Sequence, residues 1–593
     1  MTDAALPSPP LSRRWGLAER LDWDRWLMTA LLVIGCLWML VIVVFPLAVL
    51  LSKSLLDQHD RFAGLANFAR YFRTPSLSRS LSHSLFISVV TTLVAVPLGL
   101  IYAYALTRTC IPAKGFFRGI ALLPLFAPTL LYGIFLVYLF GKKGLVTTGL
   151  FGFWERVLGV SLAVDIGIYG PVGIIVSEIL FTFPQAMLIL SVALSLADAR
   201  LYEAAASLRA SRVRTFCTVT LPGIKYGLIS AVFVCFILTF TDFGAPKVIG
   251  GNYNVLATDI YKQVVGQQNF GMGATVSIIL LVPTLITFVL DRLCQQRQSA
   301  LIAPKAVPLK LVLHPLQDRV LLMFCSAVAL LLIVLFATGV FASLVKVWPY
   351  NLGVDLSHYN FRDAGGGGYT ALWNSLRMSL YTALAGTAVT FLGAYVIEKA
   401  PRARGLRQVA YFLATLPLAL PGLVIGLSYI FFFNAPQWEV LGWTVPNPFH
   451  SLYGTMAILV LCNLVHFSTV SFLTATTALK QLDKEFEAVS QSMAVPFYVT
   501  LFRVTVPVCL PAILEIAVYF FVNAMATVSG VIFLYSADLQ LASVAVANMD
   551  DAGDVASAAA MSVLIVLANI AVRCLSGILT RGVRVRSQAW LAA

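Results

Sequence analysis

Six ionisable side chains lie inside long apolar runs of this 593-residue sequence: Glu178, Asp242, Lys247, Arg377, His466 and Glu515. Charge is costly in such surroundings, so these residues either meet something charged or pair to fix packing. Asp242 and Lys247 are five residues apart, and a zwitterion or a phosphonate could meet both charges. Equally, the two could pair with each other or with neighbours. His466 stands alone in its run and reads as a hydrogen-bonded interior histidine rather than a ligand. Glu178 and Glu515 have no partner identifiable from the sequence. None of this is catalytic machinery. There is no His-Glu-x-x-His, no Gly-x-Ser-x-Gly and no paired acids, and no Gly-x-x-x-x-Gly-Lys-Ser/Thr loop to cradle nucleotide phosphates. The nine cysteines are scattered without Cys-x-x-Cys spacing, so neither a metal nor another cofactor is expected.

The elements that must hold these residues follow from composition. The chain is 59% apolar and 11% charged, whereas a soluble domain is about a quarter charged. That excludes a soluble enzyme, a disordered scaffold and a nucleic-acid binder, and makes the lipid bilayer the first partner. A spanning helix needs about 20 mostly apolar residues. Such runs fall near 27–51, 81–106, 119–141, 168–195, 223–246 and 271–290, then near 320–345, 377–397, 409–433, 452–478, 510–534 and 555–572. The expectation is an all-α polytopic membrane protein of about 12 transmembrane helices in two six-helix halves. Its parts are an N-terminal tail (1–26), a first half (27–291), a basic linker (292–319), a second half (320–577) and a C-terminal tail (578–593). The uncharged run from Leu27 is too long for a cleaved signal and reads as a retained span. Pro97, Pro124, Pro128, Pro184, Pro417 and Pro421 mark kinks satisfied by neighbouring helices, or unwinding at a site. Gly365 to Gly368 read as an outside loop.

Placing both termini in the cytoplasm puts 28 of the 41 Lys and Arg residues inside and 12 outside, with Arg377 at a boundary. The net charge of +14 is therefore largely topology. The halves repeat: His83-Ser84-Leu85 and Ala103-Tyr104 match Asn374-Ser375-Leu376 and Ala394-Tyr395 at an offset of 291, and Leu221-Pro222 matches Val506-Pro507 at 285. Parallel repeats of this kind build a pathway at the interface of two bundles.

The strongest local feature is the inside segment between the fourth and fifth spans of each half. In the first half, Asp198 to Arg214 is rich in helix formers and includes Glu203, Ala204, Ala205 and Arg209. A short amphipathic helix is expected, with Tyr202, Ala206 and Leu208 apolar and Arg209, Arg212 and Arg214 basic. Leu221-Pro222 then opens the next span.

These residues resemble the EAA loop of binding-protein-dependent ABC importer permeases, whose pattern is Glu-Ala-Ala, three residues, Gly, nine residues, Ile-x-Leu-Pro. Glu203, Ala204, Ala205, Val219, Leu221 and Pro222 occupy its positions, with Arg209 where the pattern has Gly. In the second half Pro507 sets the register: Ala488 begins the Glu-Ala-Ala site, Glu487 comes one residue early and Ala494 takes the Gly position. The resemblance implies a type I importer permease fold in a bacterial inner membrane. It also implies ATP hydrolysis by separate cytoplasmic ABC ATPase subunits, two in number, docked on these loops as coupling helices, and a periplasmic solute-binding protein that delivers the solute.

The segment from Phe240 to Asn254 resembles the fused permeases of the ferric-iron group and, more closely, those for 2-aminoethylphosphonate. Val522 to Ser529 looks like the same phosphonate branch, which makes Asp242, Lys247, Asn523 and Thr527 candidate pathway residues. The first solute expected is 2-aminoethylphosphonate, and ferric iron or another small anion is the alternative. A six-plus-six secondary carrier is the rival class. It predicts a Gly-x-x-x-Asp-Arg-type loop between spans two and three, which Thr107 to Gly115 lacks.

Overall fold

The computed structural model describes residues 11–57, 61–159, 163–195, 198–299, 312–361, 367–400, 404–440, 443–483, 485–493 and 495–587. Among them, nine helices are long and apolar enough to cross a membrane, and three sharply bent pairs raise the number to twelve. In the first half the spans are Trp26–Ser54, Pro75–Arg108, the bent pair Lys114–Phe126 and Thr129–Phe140, Pro171–Ser195, the bent pair Arg212–Gly223 and Lys225–Thr241, and Phe270–Cys294. The second half has Pro315–Leu344, Gly368–Lys399, the bent pair Arg404–Ala419 and Gly422–Phe433, Met456–Lys480, Phe497–Ala526 and Val555–Thr580. Two short antiparallel hairpins, Val345–Val347 with Asn351–Val354 and Gln437–Val440 with Trp443–Pro446, fill loops of the second half. Gly365 and Gly366 of the glycine run lie outside the described residues, while Gly368 opens the eighth span.

Several expected spans change shape. The third and ninth, where prolines mark expected kinks, turn by 106° and 109°. The cause is a pair of prolines in each, Pro124 with Pro128 and Pro417 with Pro421. The first of each pair sits in a turn of 3-10 helix and the second is extended before the outer helix begins. Pro97 and Pro184, by contrast, lie inside unbroken helices. The fifth and eleventh spans stop at Thr241 and Ala526, short of the expected 246 and 534, because Asp242 and Thr527 are extended. Arg377 lies well inside its helix, over the Trp373 ring at 5.2 Å.

The duplicated sequence motifs do duplicated work. Ser84 Oγ accepts the Leu256 amide at 2.9 Å, and Ser375 Oγ accepts the Ala542 amide at 2.8 Å. Each serine thus satisfies a free N–H at the start of the short helix (Leu256–Tyr261, Ala542–Asp551) that precedes the last span of its half. Beside them His83 contacts the Asn254 carbonyl, and Asn374 donates to those of Asp538 and Gln540.

The halves interlock. Tyr429 donates to the Ile42 carbonyl at 3.0 Å, joining the ninth span to the first. Asn569 of the twelfth span donates to the Phe126 carbonyl at 2.8 Å, at the bend of the third. Each bend also packs tightly on the segment that follows the fifth or eleventh span, through one glycine and one hydroxyl. In the first half the partners are Thr129 and Gly244, and in the second the roles reverse, to Gly422 and Ser529.

A side chain at Gly422 would meet Ser529 Oγ and lie 3.0 Å from the Gly530 nitrogen. Gly422→Val is therefore expected to cost about 1–3 kcal/mol by overpacking and to lower the thermal midpoint in detergent. Gly393→Ala, which meets nothing within 4 Å, serves as the unaffected control. Equal midpoints for the two variants would remove the close-packing argument.

Candidate functional site

Two regions bring the candidate residues together. One is the pair of short helices between spans four and five of each half, and the other is the set of breaks at the far ends of the spans that follow.

In the first half the Asp198 side chain accepts the Arg200 amide at 3.1 Å and caps the helix Ala199–Ser207. Its C-terminal end is closed by two bonds, Arg209 N to Ala206 O at 2.9 Å and Ala210 N to Ala205 O at 3.0 Å. This is the Schellman arrangement, which needs a left-handed residue at its turn. Arg209 is that residue, with φ of 50°. The glycine of the loop pattern thus has a physical reason, and Arg209 fills its place at a steric cost. In the second half Val495 N donates to Ser490 O at 3.0 Å, the bond equivalent to Ala210 N with Ala205 O. Ala494 lies outside the described residues. Ala488 lies within the helix Glu485–Ser492.

The helix faces differ from the sequence reading in one respect. Tyr202 is half-buried and Ala205 buried, as an inward pair, but Ala206 and Leu208 point outward. Leu208 is 83% exposed, and Leu201 and Val213 are exposed with it. At equivalent places in the second half, Phe486 and Met493 are exposed. Helical spacing alone did not separate these faces, because the segment holds apolar residues on both. Glu203 and Ala204 are exposed. Glu487 is not free in the same way: its carboxylate pairs with Lys399.

Both segments then pass through one turn of π-helix, Phe216–Thr220 and Leu501–Thr505, ending directly before Leu221-Pro222 and Val506-Pro507. The wider turn gives the proline ring room against the preceding carbonyls. Only the first half adds a 69° bend, at Ile224.

At the far end of span five, Asp242 and Lys247 do not pair with each other. Asp242 accepts the Ala245 amide at 3.0 Å and lies beside Thr129 and Glu178. Glu178 is 1% exposed. Lys247 reaches across to the second half, pairing with Asp551 at 2.8 Å and lying 4.9 Å above the Tyr261 ring. Asp550, next to it, has its carboxyl pushed up to about 6 by burial and by Asp551, with Lys247 opposing. Tyr261 in turn stacks near Phe533 of the second half, at 6.5 Å. Thr527 occupies Asp242's place in the second half, and its carbonyl accepts the Ser543 hydroxyl at 2.5 Å. Asn523 turns back on its own helix, donating to the Tyr519 carbonyl at 2.8 Å.

Two other charged or polar positions resolve differently from the sequence reading. Glu515 does have a partner, Arg573 at 2.5 Å. His466, expected to be hydrogen-bonded, is half-buried beside Phe467 with no protein partner for its Nδ1. Among the described residues no group of three or more His, Cys, Asp or Glu side chains is placed to hold a metal ion.

The left-handed turn generates a direct test. Arg209→Gly is expected to keep uptake and raise the thermal midpoint slightly. Arg209→Ile forces a β-branched residue to positive φ, and is expected to cost about 1–2 kcal/mol or more and reduce uptake. Equal melting of the two variants would exclude the Schellman constraint.

Comparison with known proteins identifies the family. The family model described as "Binding-protein-dependent transport system inner membrane component" matches twice, at residues 95–300 and 386–585. The chain is 28% identical over 565 residues to the ferric transport system permease protein FbpB of Actinobacillus pleuropneumoniae, covering 93% of this chain and 77% of that one. A putative ferric transport system permease protein, FbpB 1 of Haemophilus influenzae, is 28% identical over 534 residues, or 87% and 79% of the two chains. The molybdenum transport system permease protein ModB of Escherichia coli is 28% identical over 162 residues, 27% of this chain and 67% of its own. With two copies of the family model covering most of its length and one in each six-span half, this chain belongs to the binding-protein-dependent transport system inner membrane components, as a fused two-half permease.

Proposed function

We propose that the chain forms the whole membrane pathway of an ATP-driven importer. One observation carries this reading: each half presents a capped, apolar-tipped helix at the same repeat position, joined through a π-turn to the span that ends at the break. Leu201 with Leu208, and Phe486 with Met493, are large apolar side chains left exposed at these tips. Two cytoplasmic ATPase subunits cover them, one per helix. Nucleotide binding draws the subunits together, the helices follow as rigid bodies, and the halves rock between inward-open and outward-open forms. A periplasmic binding protein hands over the solute, and hydrolysis belongs to the ATPase polypeptides. Both termini face the cytoplasm.

On the far side, Lys247 with Asp551 closes the seam between the halves. Asp242, Asn523 and Thr527 lie farther along the same path. A small charged solute can exchange with an ion pair of this kind at modest cost, since each partner stays compensated as it passes. The solute assigned is 2-aminoethylphosphonate, on the likeness of Phe240 to Asn254 and Val522 to Ser529 to that branch. Ferric iron is the second reading, favoured by the similarity to ferric permeases along nearly the full chain.

Thermal stabilisation of the cognate binding protein separates the two solutes. A rise in its melting temperature with 2-aminoethylphosphonate, and none with ferric citrate, supports the first, and the reverse result supports the second. The importer reading predicts that Glu203→Lys leaves the permease inserted but lowers uptake by about tenfold. Normal uptake in that variant would sink the coupling assignment, and uptake in proteoliposomes without ATP would favour a secondary carrier.

A further inference from the structure

We propose that Arg108 and Lys399 are positioning residues that strut the two coupling helices against the second span of their own half. The inference rests on the importer reading above. Arg108 is the last residue of Pro75–Arg108, and Lys399 the last of Gly368–Lys399. They are 291 residues apart, the offset that also relates Ser84 to Ser375. Their partners, Tyr202 and Glu487, are 285 apart, the offset that relates Leu221-Pro222 to Val506-Pro507. Four residues in two halves thus make one contact twice.

The chemistry of the two contacts differs. In the first half the Arg108 guanidinium lies 4.9 Å from the centre of the Tyr202 ring, and its Nη2 donates to the Leu194 carbonyl at 2.5 Å. Tyr202 passes the contact on, donating from its hydroxyl to Thr220 Oγ1 at 3.0 Å, one residue before Leu221-Pro222. A single guanidinium therefore ties together the ends of spans two and four, the coupling helix and the start of span five. In the second half Lys399 forms an ion pair with Glu487, with side chains 12% and 30% exposed. Ser490 and Thr500 then hydrogen-bond, joining that helix to the start of span eleven.

A cation at one position with an aromatic face or a carboxylate at the other gives the same mechanical result. Partial burial keeps the ion pair from being screened as a surface pair would be. A short helix held only at its C-terminal end could swing when pushed, and displacement of the ATPase would be lost in the loop. Held also on its inward face, it moves with spans two and four, so the push reaches the bundle.

The test uses the full permease with its own ATPase and binding protein in proteoliposomes, reading solute moved per ATP hydrolysed. Lys399→Met is expected to lower that ratio about tenfold while the ATPase stays bound. Lys399→Arg should leave it unchanged. The exchanged pair Lys399→Glu with Glu487→Lys should restore it to within about twofold, and Arg108→Gln should act as Lys399→Met does. A second arm does not depend on how Lys399→Met folds. With exposed Cys217 and Cys574 replaced by Ser, Lys399→Cys and Glu487→Cys are joined by a short thiol cross-linker. Uptake retained after cross-linking means the strut stays closed through the cycle, as proposed. An unchanged ratio in Lys399→Met, or uptake abolished by the cross-link, overturns the strut. Absence of ATP-driven uptake by the unmodified complex would instead defeat the importer reading, and the strut's role with it.

Discussion

No backbone amide or carbonyl can be left bare inside a bilayer, and the helix breaks of this chain lie where other side chains answer them. At the bend of the third span, Tyr132 donates to the Pro124 carbonyl and Asn569, from the other half, to that of Phe126. Near the ninth, Thr469 donates to the Ala414 carbonyl. Beyond the fifth span Asp242 receives the Ala245 amide, and beyond the eleventh Ser543 takes the Thr527 carbonyl. A break answered by the partner half cannot shift without that half responding. The bend of the third span, answered by Asn569, is thus both a weak place in its helix and a place where the two halves meet.

The two halves share a frame but not its chemistry. Hydroxyl and glycine trade places between Thr129–Gly244 and Gly422–Ser529, so each site keeps one small partner. Glu178 and Asp242 in the first half correspond to Asn463 and Thr527 in the second, so two carboxylates of one half have neutral counterparts in the other. Lys247 and Asp551, one from each half, then face each other without a repeated counterpart. The charge is thus distributed unevenly between two halves of similar fold.

Much of this was legible in the sequence, because period, length and charge placement are properties of the chain itself. Twelve runs, two halves and the loop positions needed no coordinates. The 106° and 109° bends were less accessible. Prolines announce a defect, but Pro97 and Pro184 sit in unbroken helices while Pro128 and Pro421 do not. Partner choice was also hidden: Lys247 finds Asp551 some three hundred residues away, and Glu515 finds Arg573. The offsets of 291 and 285 that relate the halves also align Arg108 with Lys399 and Tyr202 with Glu487, so the repeated cation of this contact is visible in the sequence.

Span five links one face of the membrane to the other. One end leaves a helix locked by a left-handed Arg209, and the other gives way at Asp242 beside the seam of the halves. Movement imposed at the Arg209 end can reach that seam in only two ways: the span bends, or it travels as a rod. A 69° bend is already present at Ile224, between the loop and the long helix Lys225–Thr241. Were this bend a free hinge, the push would end there. The hydrogen bond from Tyr202 to Thr220 holds the near side of that bend against spans two and four through Arg108. The displacement is then shared by a packed group of helices, and a close-packed group shifts between discrete arrangements instead of yielding smoothly. In the proposed coupling, that property makes a helix of nine residues a lever on the opposite face.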